Sequence, residues 1–314
     1  MQKREESFTP VYPTFRTPRD VDLWFTRISG CGLGNCFYTY FHAVVLAERF
    51  EGTVIAPPWL ALKLGPLLRG ESSKRIYWGM FKPYPGDING LRKLSTLLRG
   101  YRSRKMIEID GAAEPSLFIG CLNFVAARKW TFHGLHPYRE LIRKRLLGII
   151  RDPLPVAHCW GRGQFVAVHV RLSDFAKVDD KSSATTTASA DRPTNTRIPI
   201  SWYVNVVRAL RRRYPDWPVL LFSDGKVEEL KPMLDIGSTL YRSGSDITDL
   251  LQMSAASIFV GSNSSYSRWA AFLGNMPSIW LAGPPEDDTF ADESCGDRHI
   301  PALCVPIDAT EVAL

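Results

Sequence analysis

Residues 165–180, FVAVHVRLSDFAKVDD, run from an apolar stretch into a histidine, an arginine and several aspartates. Phe165, Val166, Val168 and Val170 read as a buried strand. His169, Arg171, Asp174 and Asp179 fall at and beyond its carboxyl end, where an open α/β sheet places its ligands. A guanidinium there suits an anion, because it binds phosphate oxygens bidentately and stays charged. Two further stretches carry chemistry. In 28–50, Gly30, Gly32 and Gly34 precede a helix beginning near Asn35, whose free amide groups are offered to an anion. A tight turn with no ligand accounts for those glycines equally well. In 246–275, an amphipathic helix (Ile247, Leu250, Leu251) leads into a short strand, Ser257 to Val260, and then into Gly261-Ser262-Asn263-Ser264-Ser265 and a new helix. Helix caps, worth about 1 kcal/mol each, explain one or two of those polar residues. Hydroxyls and amides at a positive helix end also suit a diphosphate.

The elements that must position these groups alternate. Strand-like runs occur at about 22–28, 53–57, 104–108, 165–170, 218–223, 257–261 and 277–281. Between them lie helical spacings: Phe37, Tyr40, Phe41, Val44 and Val45; Tyr138, Leu141, Ile142, Leu146 and Ile149; Tyr203, Val206, Val207 and Leu210. Such alternation predicts an α/β protein with parallel sheets covered by helices. Residues 151–164, with two prolines and two glycines, are the expected linker. The expected organisation is an N-terminal extension 1–20, a Rossmann-like domain 21–155, a second Rossmann-like domain 156–285, and a C-terminal tail 286–314 read as returning to the first domain. Residues 176–198, rich in Ser, Thr, Ala and Asp, form a long irregular loop. A loop of this kind is either a disordered ornament or a lid over the charged cluster.

Composition bounds the partners. The chain has 314 residues and a net charge of +7, which favours an anionic ligand without naming one. The amino-terminal MQKREESFTP has no apolar core of signal-peptide length, and no run of about 20 apolar residues occurs. The expectation is a soluble cytoplasmic protein. Six cysteines, with no C-x-x-C pair and no zinc spacing, are expected to be free thiols. Nucleic acid is not expected, because RALRRRYPDW (208–217) and RELIRKRLL (139–147) set arginines opposite an apolar face without an aromatic stacking platform. The same basic faces are suited to peripheral attachment at an anionic membrane.

Taken together, the three stretches resemble the α-1,2-fucosyltransferase family and the wider group of GDP-fucose-dependent fucosyltransferases, which includes the α-1,6 and protein O-fucosyltransferases. The family's G-G-L-G-N-Q-M-F-Q-Y-A looks like GCGLGNCFYTYFHA here, its H-x-R-x-x-D like HVRLSD, its F-S-D like LFSD at 221–224, and its D-x-x-x-M-S…N-S-S-F-S-W-W like DLLQMSAASIFVGSNSSYSRW. The motifs stand in the family's order from residue 28 to 275. The resemblance implies a GT-B fold with two facing Rossmann-like domains. It also implies an inverting transfer of fucose from GDP-β-L-fucose to a glycan hydroxyl, with no cofactor and no metal. A galactoside acceptor and an α-1,2 linkage are the expected specificity. Transfer of another GDP-linked hexose, another linkage, and a non-catalytic nucleotide-sugar binder of the same fold remain the alternatives.

Residue by residue, the resemblance matches Arg171 to the arginine on the donor β-phosphate, His169 to the motif histidine near the nucleotide, and Asp249 to the guanine-reading aspartate. Ser264 and Ser265 match the diphosphate-binding serines. Ser223 and Asn263 fall inside donor-side motifs, while Gly32, Gly34 and Asn35 match the turn that lines the other side of the donor site. For the general base, Asp179 matches a glutamate of the α-1,6 enzymes and Asp174 is the rival. The sequence departs from the family at Leu172, where a second arginine is common, at Cys36-Phe37 and at Arg268-Trp269.

Overall fold

The computed structural model describes residues 10–15, 21–28, 30–62, 76–99, 104–106, 119–123, 132–151, 160–172, 197–281 and 302–305. The chain divides into two compact units, one running to Pro153 and the other from Leu154. Each is α/β and built on a parallel sheet.

The first unit contains β1 (Pro10–Thr14), β2 (Val21–Asp22), β3 (Thr26–Ile28), α1 (Leu33–Arg49), β4 (Thr53–Val54), β5 (Leu60–Leu62), α2 (Gly90–Arg99), β6 (Arg104–Met106), β7 (Ile119–Asn123) and α3 (Arg139–Ile149). Its main sheet is parallel with order β4-β1-β7-β6. Helix α1 is apolar around most of its circumference, the pattern of a core helix. Phe37, Tyr40 and Phe41 are fully buried, and Phe37 meets Trp59 at 5.9 Å, which stacks on Phe81 at 4.2 Å. Arg145 of α3 donates from Nε to Tyr40 Oη at 2.9 Å and pairs with buried Asp87.

Two expectations need correction here. Residues 1–20 are not only an extension, since β1 lies inside the main sheet with Val11 and Tyr12 buried. The two prolines of PVYPT hide that strand from pattern reading. Pro10 opens it, and Pro13 lies beyond Val11, the last residue in register with β4. The single strand expected at 22–28 is instead an antiparallel pair, β2 and β3, turned at Trp24 (φ 69°). Strand β3 also pairs with β5 in a separate three-stranded sheet rather than in the main one.

The second unit contains β8 (Gly163–Val170), α4 (Ile200–Arg213), β9 (Val219–Ser223), α5 (Val227–Asp235), β10 (Thr239–Leu240), α6 (Asp246–Ser254), β11 (Ala256–Val260), α7 (Ser265–Gly274), β12 (Ser278–Leu281) and β13 (Ala302–Val305). All six strands are parallel, in the order β10-β9-β8-β11-β12-β13. From β8 the chain steps outward through β9 to β10, then crosses back to the other flank of β8 at β11. That reversal makes the gap between β8 and β11 the topological switch point, the crevice where doubly wound sheets take their ligands. Val166, Val168 and Val170 of β8 pack in one core with Trp202, Val206 and Leu210 of α4 and with Leu221 and Val260. Arg197, just ahead of α4, pairs with Glu229 of α5 at 2.9 Å.

The tail departs from expectation. Its residues 302–305 do not join the first unit but add β13 beside β12, in register Ser278↔Ala302 to Leu281↔Val305. Buried Trp202 donates its Nε1–H to Val305 O at 3.2 Å, fastening the strand to α4. The expected loop at 176–198 lies outside the described residues except for Arg197 and Ile198, the latter buried.

Candidate active site

The second unit gathers its polar residues at the carboxyl ends of β9, β8 and β11. Strand β8 ends at Val170, which pairs with Ser223 of β9, so the next residues, Arg171 and Asp224, stand side by side. Arg171 Nη1 lies 2.9 Å from Asp224 Oδ2, with each side chain 19% exposed. The other carboxylate oxygen accepts from the Leu172 backbone N–H at 2.8 Å. One carboxylate therefore orients the guanidinium and the backbone that follows it. Leu172 itself is buried in the core. It packs so closely on Gly225 that a Cβ there would sit 2.3 Å from its Cδ1. An arginine in place of Leu172 would bury its charge in that contact, which gives a physical reason for the departure at this position.

His169 is 4% exposed. Its Nδ1 lies 2.6 Å from Ser267 Oγ and 3.2 Å from Ser262 Oγ. Burial, with the charge of Arg171 adding to it, pushes its pKa down to about 4 against the opposing pull of Asp224. The ring is thus neutral near pH 7 and ties β8 to the loop that follows β11. Ser262 N donates to Ser267 Oγ at 3.1 Å, and the Ser262 and Ser267 hydroxyls are 2.9 Å apart. Gly261 is required at the start of this loop, because a Cβ would lie 2.2 Å from Cζ3 of Trp280.

The loop delivers the chain to the N-terminus of α7. Ser264 is the N-cap, and its Oγ accepts from Ser267 N at 3.1 Å. Ser265, the first helical residue, is half-buried, and its hydroxyl makes no hydrogen bond among the described residues; Asn263 is exposed. The two serines thus divide the work. Ser264 closes the helix end, while the Ser265 hydroxyl stands at the positive start of the helix without a hydrogen bond among the described residues.

Asp249 lies in the first turn of α6, beside this loop. The Tyr266 hydroxyl of α7 donates to Asp246 O, joining the two helix starts. Asp249 Oδ1 accepts from Ser243 N at 3.0 Å and from Ser243 Oγ at 2.6 Å. Burial raises its pKa, and the two Ser243 bonds oppose that rise. Oδ2 makes no hydrogen bond among the described residues. Ser223 Oγ accepts from Gly225 N at 3.0 Å and shapes the turn after β9.

One end of the second sheet therefore brings together His169, Arg171, Ser223, Ser264 and Ser265, with Asp249 at the neighbouring helix start. Gly32, Gly34 and Asn35 belong to the first unit. Gly32 is the N-cap of α1, and a Cβ there meets nothing within 4 Å. Gly34 is buried, and the carbonyl of half-buried Asn35 accepts weakly from Thr39. Both candidate bases, Asp174 and Asp179, lie outside the described residues. Sequence reading gave Asp224, Ser262 and Ser267 no role of their own, although the motifs quoted above contain all three. The signal for Asp224 was present, since it follows β9 as Arg171 follows β8, and parallel neighbours in register set such residues side by side.

The doubly wound unit carries an oriented arginine and a serine-capped helix at its switch point, where sheets of this kind take their ligands. Residues 139–298, just over half of the chain, match the model of glycosyl transferase family 11, and the chain belongs to that family. No curated protein sequence matches it. Among solved structures it is similar to NodZ α-1,6-fucosyltransferase co-crystallised with GDP, at 15% identity over 88% of this chain and 95% of that one, with a TM-score of 0.46. It is also similar to POFUT1 in complex with GDP, at 12% identity over 88% and 98%, TM-score 0.46. A third is the E. coli heptosyltransferase WaaC with ADP, at 11% identity over 95% and 91%, TM-score 0.41.

Proposed function

We propose that the protein transfers fucose from GDP-β-L-fucose to a hydroxyl of a glycan acceptor, with inversion and without a metal or cofactor. The observation that carries this reading is Arg171, oriented by Asp224 at the switch point and flanked by the N-terminus of α7. In the proposed complex Arg171 and the first turn of α7, with Ser265, hold the diphosphate and stabilise the departing GDP, the part a divalent cation plays elsewhere. Asp249 Oδ2 accepts from the N1 and exocyclic amine of guanine, with Oδ1 fixed by Ser243. Asp179 or Asp174 takes the proton of the acceptor hydroxyl. A galactoside acceptor and an α-1,2 linkage are the specificity we assign from the motif resemblance. We also read the enzyme as cytoplasmic, with basic faces suited to peripheral attachment at an anionic membrane. Among the described residues, no helix is long and apolar enough to cross one.

The test is GDP release from GDP-fucose, GDP-mannose and UDP-sugars, with and without simple galactosides, in wild type and Arg171→Ala. Release from GDP-fucose that rises with a galactoside, persists in EDTA and falls by orders of magnitude in the variant supports the proposal. Tight GDP binding without release from any donor points to a binding protein of the same fold. Loss in EDTA with recovery on Mn²⁺ removes the metal-independent mechanism.

A further inference from the structure

The glycine turn of the first unit carries a feature that the phosphate chemistry does not use. Cys31, at the turn, and Cys36, in the first part of α1, are both thiols rather than a disulfide, with their sulfurs 3.6 Å apart. Arg27, the middle residue of β3, is buried to 1% exposure. Its Nη1 donates to Cys31 O and its Nη2 to Cys36 Sγ, both at 3.2 Å. Gly30 has φ 97°, and a Cβ there would lie 2.3 Å from Arg27 Nη1. The turn is therefore shaped around the guanidinium, and that shape holds the two sulfurs together.

We propose that Cys31 and Cys36 form a redox-active dithiol that closes to a disulfide by exchange with a small-molecule disulfide such as oxidised glutathione. Cys31 is half-buried and reachable, whereas Cys36 is fully buried, so the roles divide. Cys31 thiolate attacks one glutathione sulfur, breaking that S–S bond and expelling a glutathione thiolate, which takes up a proton. Cys36 thiolate then attacks Cys31 Sγ of the mixed disulfide and expels the second glutathione. Two cysteine thiols are oxidised, and one glutathione disulfide is reduced to two thiols. A cationic donor on Cys36 Sγ is the kind of neighbour that supports thiolate chemistry at the resolving sulfur. Closing the pair to the ordinary S–S length of about 2.0 Å asks for a shift that rotation of the half-buried Cys31 side chain can supply. The product staples the turn to α1. This inference is independent of the donor or acceptor assigned above.

The experiment uses the full chain in glutathione redox buffers, followed by quenching with an alkylating agent and peptide mass mapping. Ile28 to Arg49 is one tryptic peptide and contains both cysteines. The expected result is loss of two hydrogens from that peptide, with no alkylation at either site, reversed by dithiothreitol. Cys36→Ser is expected to trap glutathione on Cys31, and Cys31→Ser to leave Cys36 without glutathione. The proposal is overturned if wild type keeps both thiols alkylatable under oxidising buffer. It is equally overturned if Cys31 pairs with Cys121, Cys159, Cys295 or Cys304, or holds glutathione in wild type without resolving. The wild-type map decides the matter even where a serine variant fails to fold.

Discussion

Replacing Asp224 by asparagine separates its two tasks. Asparagine keeps the shape and a carbonyl oxygen for the Leu172 N–H, now 2.8 Å from Oδ1. It places a donor amide where Oδ2 accepts from Arg171 Nη1 at 2.9 Å. The lost ion pair is partly screened, so the stability change is small, about 1 kcal/mol. Asp224→Ala also strips the Leu172 amide of its acceptor at a buried position, which adds roughly 1–3 kcal/mol. Activity should respond differently. Arg171 without its anchor samples other directions, and misplacement on the ångström scale costs up to about a hundredfold. We expect kcat/KM for GDP-fucose turnover to fall between about tenfold and a hundredfold in both variants, with the alanine variant alone showing a clearly lower melting temperature. Initial rates of GDP release across donor concentrations, paired with thermal melts, read both quantities. If both variants stay within about threefold of wild type while Arg171→Ala is inactive, Asp224 does not position the arginine and the reasoning fails.

Three further perturbations test the rest of the site. Asp249→Ala should weaken GDP binding while leaving UDP binding unchanged by calorimetry; unchanged affinity for both would leave the carboxylate as a cap for the Ser243 turn. The depressed pKa of His169, about 4 in the folded chain, means the unfolded chain takes up its proton first as pH falls from 6.5. Stability from this group is full above pH 6.5 and declines toward pH 4, by about 3 kcal/mol over the window. His169→Gln should flatten that part of the pH–stability curve, and an unaltered slope would assign it to other groups. Gly261→Ala drives a methyl into Trp280, so we expect roughly 1–3 kcal/mol of destabilisation with loss of donor binding; a variant as stable as wild type would show that the indole yields.

The legible parts of this chain are those where pattern and position agree. The valines, with His169 and Arg171 at their carboxyl end, announced β8 and the polar cluster beyond it, because burial of both strand faces leaves a continuous apolar run. The strand at Pro10–Thr14 was not legible, since prolines mask β pattern and only tertiary context shows where their missing N–H is tolerated. The pairing of Arg171 with Asp224 spans two strands, so it needed the register that only the sheet supplies. Ser264 and Ser265 look alike in sequence, yet the N-cap geometry consumes one hydroxyl and leaves the other. The closeness of Cys31 and Cys36 likewise depends on a glycine backbone wrapped around a buried arginine.

The last strand sets a requirement on synthesis. The six-stranded sheet grows outward from β8, but β13 and the acceptor of the Trp202 indole N–H arrive only with residues 302–305. Until those residues leave the ribosome, β12 presents an open edge and Trp202, 1% exposed when folded, lacks its partner. An open parallel edge is a template for pairing with another chain. Nascent chains and products truncated before Ala302 should therefore depend on chaperones or aggregate, although every residue of the proposed phosphate site is already present in them.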